Sequence, residues 1–260
     1  MVDIIDTHCH LDFAIFDEDR DQVINNANRN GVCKLIIPGV RGATWSALQS
    51  LVSSHHCLHY ALGLHPYFID EHRLQDLVLL KDLLINRRGA VAIGEIGLDF
   101  FDKSLDRAKQ ISMFSQQLDL AAEFQLPVIL HVRKAHDDVL KLLGSHEYGG
   151  IVHGFSGGID IAKRYINLGF KLGFGGMTSY PHSRKLHDLV QKLPLDGIVL
   201  ETDAPDMSGY KYRGQRNSPE FLPVYLDAIA DLRPENLQRI AEQTYRNTID
   251  VLALETFLTN

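Results

Sequence analysis

Eight short apolar runs punctuate this chain of 260 residues, and longer stretches with helical spacing separate them. The runs are Ile4–Asp6, Lys34–Pro38, Tyr60–Leu62, Ala90–Ile93, Val128–Leu130, Ile151–Val152, Lys171–Phe174 and Ile198–Leu200. They are too short for helices, and several are rich in Val and Ile, as strands of a parallel sheet buried on both faces tend to be. The stretches between them read as helices: Asp19–Asn30, Thr44–Ser54, Leu74–Arg87, Leu105–Glu123, Asp137–Leu143, Ile159–Leu168 and Arg184–Lys192. A last helical region covers Glu220–Leu232 and Pro234–Leu254. Such alternation predicts an α/β fold, and eight units is the count of a (β/α)8 TIM barrel, typically about 250 residues long. No Pro/Gly/Ser-rich linker, low-complexity tract or internal repeat interrupts it, so residues 1–260 are expected to form one domain.

Residues able to bind a metal stand where these runs stop. His8 and His10 follow the first, Glu95 the fourth, His131 the fifth, His153 the sixth and Asp203 the eighth. A doubly wound open sheet would need its ligands at one crevice, whereas only closure makes the first strand a neighbour of the eighth. In DTHCH, residues two apart in extended chain point to the same side, so His8 and His10 can grip one ion while Cys9 faces away. Asp6 and Asp12 stand beside them as carboxylates that could orient the rings. Taken singly, each residue also has a bland reading: an incidental His-x-His, a satisfied core histidine, a helix-capping Glu, a turn Asp before Ala-Pro. Gathered on the carboxy-terminal rim of a barrel, where catalytic groups sit, they become a ligand set.

Imidazole and carboxylate without thiolate suit Zn2+, Mn2+, Fe2+ or Co2+, and Mg2+ less comfortably. Six such residues exceed the roughly three protein ligands of a catalytic zinc, which predicts two divalent cations. His8, His10 and Asp203 are expected on one, His131 and His153 on the other, and Glu95 between them, since a carboxylate can bridge where an imidazole cannot.

Composition limits the functions available. With 45% hydrophobic and 23% charged residues, the chain can bury a large core. A net charge of −7 argues against a surface that coats nucleic acid, but not against a small anionic substrate held by metal. Three cysteines, Cys9, Cys33 and Cys57, without CxxC spacing fit a reducing cytoplasm. MVDIIDTHCH lacks the pattern of a signal peptide, and no apolar run approaches a membrane span.

The strings DTHCHLDF (6–13), GLHP (63–66), GEIGLDF (94–100), LPVILHVR (126–133), VHGFSG (152–157) and LETDAPDM (200–207) resemble, in this order, the TatD family of metal-dependent hydrolases within the amidohydrolase-like barrels. The HGFSG form, GGMTSYP (175–181) and QRNSPE (215–220) resemble the YjjV-type bacterial subgroup. The resemblance implies a dinuclear site and phosphoester hydrolysis, with deoxyribonuclease action as the best-known case. Its ligand positions fall on His8, His10, Glu95, His131, His153 and Asp203. Gly154 departs from the cysteine that many members carry there, at a position that is not a ligand.

The function expected is therefore hydrolysis of phosphodiester bonds by metal-activated water, in the manner of a 3′–5′ exonuclease on DNA, with Glu95 and Asp203 as the catalytic carboxylates. Asp203 is the candidate to take the water's proton as well as to bind metal. His65 and Arg133 are expected to contact phosphate, and Phe100, Phe101 and Tyr180 to offer stacking faces if they are not core. Hydrolysis of an amide, lactone or other ester at the same centre is the alternative, and a non-catalytic metal-binding protein would be expected to lack a ligand. Neither a membrane nor an obligate protein partner is implied.

Overall fold

A computed structural model describes residues 2–86, 89–144 and 149–254. Arg87, at the end of the third expected helix, lies outside the described residues. Eight parallel strands follow one another in chain order: β1 (Ile4–Asp6), β2 (Val32–Pro38), β3 (Leu58–Leu62), β4 (Ala90–Asp99), β5 (Val128–Arg133), β6 (Gly150–Val152), β7 (Phe170–Phe174) and β8 (Ile198–Leu200). Helices α1 (Arg20–Arg29), α2 (Trp45–Ser53), α3 (Leu74–Ile85), α4 (Arg107–Phe124), α5 (His136–Leu143), α6 (Ile159–Asn167), α7 (Arg184–Lys192), α8 (Leu222–Ala230) and α9 (Leu237–Leu252) connect and follow them. The sheet is a nearly closed barrel. The seam between β1 and β8 is stitched just past the strand ends. There the Thr7 N–H donates to the Leu200 carbonyl at 3.0 Å, the Asp203 N–H to His8 at 2.8 Å and the His10 N–H to Ala204 at 2.7 Å.

Alternation along the strands sorts the apolar side chains into two layers. Ile5, Ile36, Ala61, Ala92, Ile129, Ile151 and Val199 fill the interior, joined by Ile249, Leu252 and Leu254 from α9 and the residues just past it. The larger layer, with Leu35, Ile93, Leu130 and Leu172, packs outward against the helices. The interior is thus apolar, while the polar cluster described below occupies its carboxy-terminal mouth.

Two strands run on past the carboxy-terminal ends of their apolar runs. β4 continues to Asp99 and β5 to Arg133, because parallel pairing of Gly97 with His131 and of Asp99 with Arg133 carries both ladders on. Glu95 and His131 therefore lie within strands rather than after them. Between Ile93 and Ile96 the register shifts, so that Gly94 and Glu95 stand where a regular strand would place one residue between two outward isoleucines. This irregularity turns Glu95 into the mouth. Gly97 allows the close approach of β5, since a Cβ there would lie 2.0 Å from the His131 carbonyl oxygen.

Candidate metal centre

All six expected ligands converge at that mouth, and His65 joins them. Glu95 is at the centre. Its Oε2 lies 3.1 Å from His8 Nε2 and 3.6 Å from His10 Nε2. Its Oε1 lies 3.0 Å from His65 Nε2, His131 Nδ1 and His153 Nε2 alike. Asp203 Oδ1 approaches His8 Nε2 at 3.6 Å and His10 Nε2 at 3.8 Å. The two oxygens of one buried carboxylate thus face two different groups of imidazoles.

Charge in the cluster is set by burial and by close neighbours. Burial opposes ionisation of Glu95, but His65, His153 and His8 outweigh it and hold the carboxyl well below the usual range. Burial likewise opposes charge on His153, yet Glu95 and Asp203 push its imidazolium up to about 10. Burial lowers His8 well below an ordinary histidine and His10 to about 4, leaving each imidazole neutral with one lone-pair nitrogen. Burial raises Asp203 to about 7, a rise that His153 opposes and Glu95 adds to.

This arrangement fits cations. His8 Nε2 and His10 Nε2 are 3.3 Å apart, and His131 Nδ1 and His153 Nε2 are 3.2 Å apart. Paired ring nitrogens so close need a proton or a metal ion between them, and imidazole with carboxylate is a donor set for borderline divalent metals. Three triplets have ligand atoms close enough to hold an ion: His8, His10 and Glu95; His8, His153 and Asp203; and His65, Glu95 and His131.

The surrounding residues hold the cluster in place. Asp6 accepts from the Thr202 hydroxyl at 2.6 Å and from the backbone N–H groups of Thr202 and His8 at 3.0 and 3.2 Å. It fixes backbone across the β1–β8 seam and, contrary to the sequence reading, does not orient an imidazole ring. Asp99 does: its Oδ2 lies 3.3 Å from His131 Nε2. Glu201 Oε1 accepts from the Gly154 N–H at 2.6 Å and stands 3.9 Å from His153 Nδ1. Buried Asn217 donates to the carbonyls of Thr202 and Asp206 and accepts from the Tyr225 hydroxyl, clamping the loop that carries Asp203. Sequence reasoning missed Asp99, Glu201 and Asn217 as contributors. Spacing could have flagged Asp99, because residues 95, 97 and 99 share one face of a strand.

The expected phosphate contacts separate. His65 is buried, with Nε2 on Glu95 and Nδ1 accepting from the Tyr67 N–H at 3.0 Å. Arg133 is exposed, stacked 3.8 Å over the Phe101 ring, with Nη1 3.8 Å from Asp99. Of the aromatics, Phe101 is exposed, Phe100 packs against the core, and the Tyr180 hydroxyl donates to Ser208.

A family model described as TatD related DNase matches residues 5–253. The chain belongs to the TatD family. A TatD relative from Escherichia coli K12, the uncharacterized metal-dependent hydrolase YjjV, is 39% identical over 247 residues, covering 94% of this chain and 95% of its own. An uncharacterized metal-dependent hydrolase from Haemophilus influenzae is 39% identical over 258 residues, covering 95% and 98%. The crystal structure of YjjV superposes with a TM-score of 0.92 at 38% identity over 95% of this chain and 97% of that one. A TatD-family hydrolase of Entamoeba histolytica, at 23% identity and a TM-score of 0.83 over 96% and 98%, shares the barrel. This TatD-family chain is a metal-dependent hydrolase with a candidate metal site, and none of its described helices is long and apolar enough to cross a membrane.

Proposed function

We propose that the protein is a phosphodiesterase acting on DNA as a 3′–5′ exonuclease, with two divalent cations, Zn, Mn or Mg, at the barrel mouth. The division of the Glu95 oxygens between two imidazole groups supports the two cations, and the match to the TatD related DNase model supports DNA as the substrate. His8, His10 and Asp203 would hold one cation, His131 and His153 the other, with Glu95 between them, and the cations would supply an acidified water and neutralise phosphoryl charge.

The chain's own residues supply the rest. Asp203 is the group that takes a proton from water. It sits beside the imidazoles with its main-chain N–H fixed to the His8 carbonyl and its loop clamped by Asn217, so its carboxylate is held in position. His65, with Nδ1 accepting from the Tyr67 N–H and Nε2 donating to Glu95, positions that carboxylate. Arg133, braced on Phe101 beside Asp99, offers an exposed cation for a phosphate oxygen. The apolar barrel interior beneath the cluster keeps bulk water from its underside.

The decisive experiment is product analysis on 3′- and 5′-end-labelled single- and double-stranded DNA, with metal content measured on the same sample. Mononucleotides released in order from the 3′ end are expected. Metal-loaded protein that turns over lactones or amides but no phosphodiester would overturn the proposal.

A further inference from the structure

A cavity of about 640 Å3 opens over the ends of β5 to β8, on one side of the metal cluster. That volume lies within the range of small-molecule sites and suits one nucleoside rather than a strand. His131, His153 and Asp203 line it, so a phosphoryl group held at the cluster would have its substituent in or beside the cavity. Phe155, Met177, Leu186 and Met207 supply apolar walls. At Gly154, φ is +54° and nothing lies within 4 Å of where a Cβ would stand, so no side chain narrows the space there. Two flexible thioethers can pack against any planar base without reading its edge.

Two cations line this cavity, and they are held differently. Arg133 is tied to the metal end through Phe101 and Asp99. Lys185 projects from α7, and its ammonium donates to the carbonyl of Ser156, three residues beyond His153. Lys185 is exposed, and among the described residues no carboxylate pairs with it. The lining therefore carries, besides the carboxylates and candidate metal ligands, an exposed ammonium without a carboxylate partner. A ligand matching that pattern is a nucleoside with two anionic groups.

We propose that this cavity is a single-nucleoside subsite and that Lys185 is its specificity residue, contacting a second phosphate while the first lies at the metal cluster. The inference rests on the phosphodiesterase reading and narrows it. The favoured ligands are nucleosides phosphorylated on both the 3′ and 5′ oxygens, and a chain end bearing phosphate is held better than one bearing a free hydroxyl.

The test is calorimetric titration of Mn2+-loaded protein with thymidine 3′,5′-bisphosphate and with each thymidine monophosphate. The bisphosphate should bind at least about tenfold more tightly than either monophosphate, as one added charge-assisted contact implies. Lys185→Ala should cut that advantage to about twofold, Lys185→Glu should abolish it and Lys185→Arg should retain it. Equal binding of all three ligands by the unaltered protein, or an advantage that survives in Lys185→Glu, would overturn the subsite. Hydrolysis of bis(p-nitrophenyl) phosphate is followed in parallel. Turnover without a bisphosphate preference removes the subsite alone, while a Lys185-dependent preference without turnover removes the phosphodiesterase reading alone.

Discussion

Asp99 Oδ2 stands 3.3 Å from His131 Nε2, and this contact decides which ring nitrogen of His131 faces Glu95. The carboxylate is itself fixed. Its Oδ1 accepts from the Phe101 N–H at 2.9 Å, and Gln110 clamps the Asp99 backbone at both N–H and carbonyl. With Nε2–H donated to Asp99, Nδ1 is the nitrogen left to bind a cation on the Glu95 side, whereas His8, His10, His65 and His153 all turn Nε2 toward Glu95. Replacing Asp99 with Ala should weaken binding of the cation on His131 by about 10–100-fold, measured by calorimetry. Nitrogen-15 spectra of the zinc-loaded protein should show the Nε2–H tautomer of His131 giving way to a mixture in the variant. An unchanged tautomer would remove the positioning role.

Glu95→Gln should remove the charge that faces both imidazole groups. Bound metal, read by atomic emission, should fall to one ion or fewer per chain, and activity should drop with it. Chelation of the unaltered protein should lower its thermal midpoint, because metal at about 100 times its dissociation constant adds about 2.7 kcal/mol to the folded state. The chelator response should nearly vanish in Glu95→Gln.

Asp203→Asn keeps the side-chain shape but removes the proton acceptor. Phosphodiester turnover should fall by about 100-fold or more, a loss on the scale of a missing general base. Near-normal turnover by a variant that still carries its metal would assign the proton to another group.

Asn217→Ala should destabilise the fold by about 2–3 kcal/mol in urea, since it leaves buried carbonyls of Thr202 and Asp206 and the Tyr225 hydroxyl without their partner. Because Asn217 holds the loop that carries Asp203, turnover should fall as well. Full activity in a destabilised variant would separate the clamp from catalysis.

His59, remote from the cluster on β3, sets an acid-sensitive window. Burial, reinforced by the Lys34 cation, pushes its imidazole down to about 4, and its buried Nε2 finds no hydrogen-bond partner among the described residues. A depressed folded-state value means that the unfolded chain takes the proton first. Stability is therefore complete above about 6.5 and is lost as pH falls toward 4. His59→Leu should shrink the difference in unfolding free energy between pH 7 and pH 4 by about 2 kcal/mol, once the side chain's partial exposure is discounted. An identical pH profile would locate the acid sensitivity elsewhere.

Apolar periodicity and strand-end histidines are local signals, so the order of strands and helices and the residue types at the mouth can be read from the chain alone. From it, His8, His10, Glu95, His131, His153 and Asp203 fall into one cluster through barrel closure alone. Tertiary structure decided what depends on neighbours distant in the chain. The register irregularity at Gly94–Glu95 turns a carboxylate inward that plain alternation would not place. His65, expected to touch substrate, is drawn onto Glu95 across the β3–β4 pairing. Asp99, Glu201 and Asn217 look ordinary in the sequence and become structural partners of the cluster only where their strands and loops meet. A ligand's identity is a property of its own side chain. Which nitrogen or oxygen faces the metal site is fixed by the hydrogen bonds on its far side, and those come from other strands.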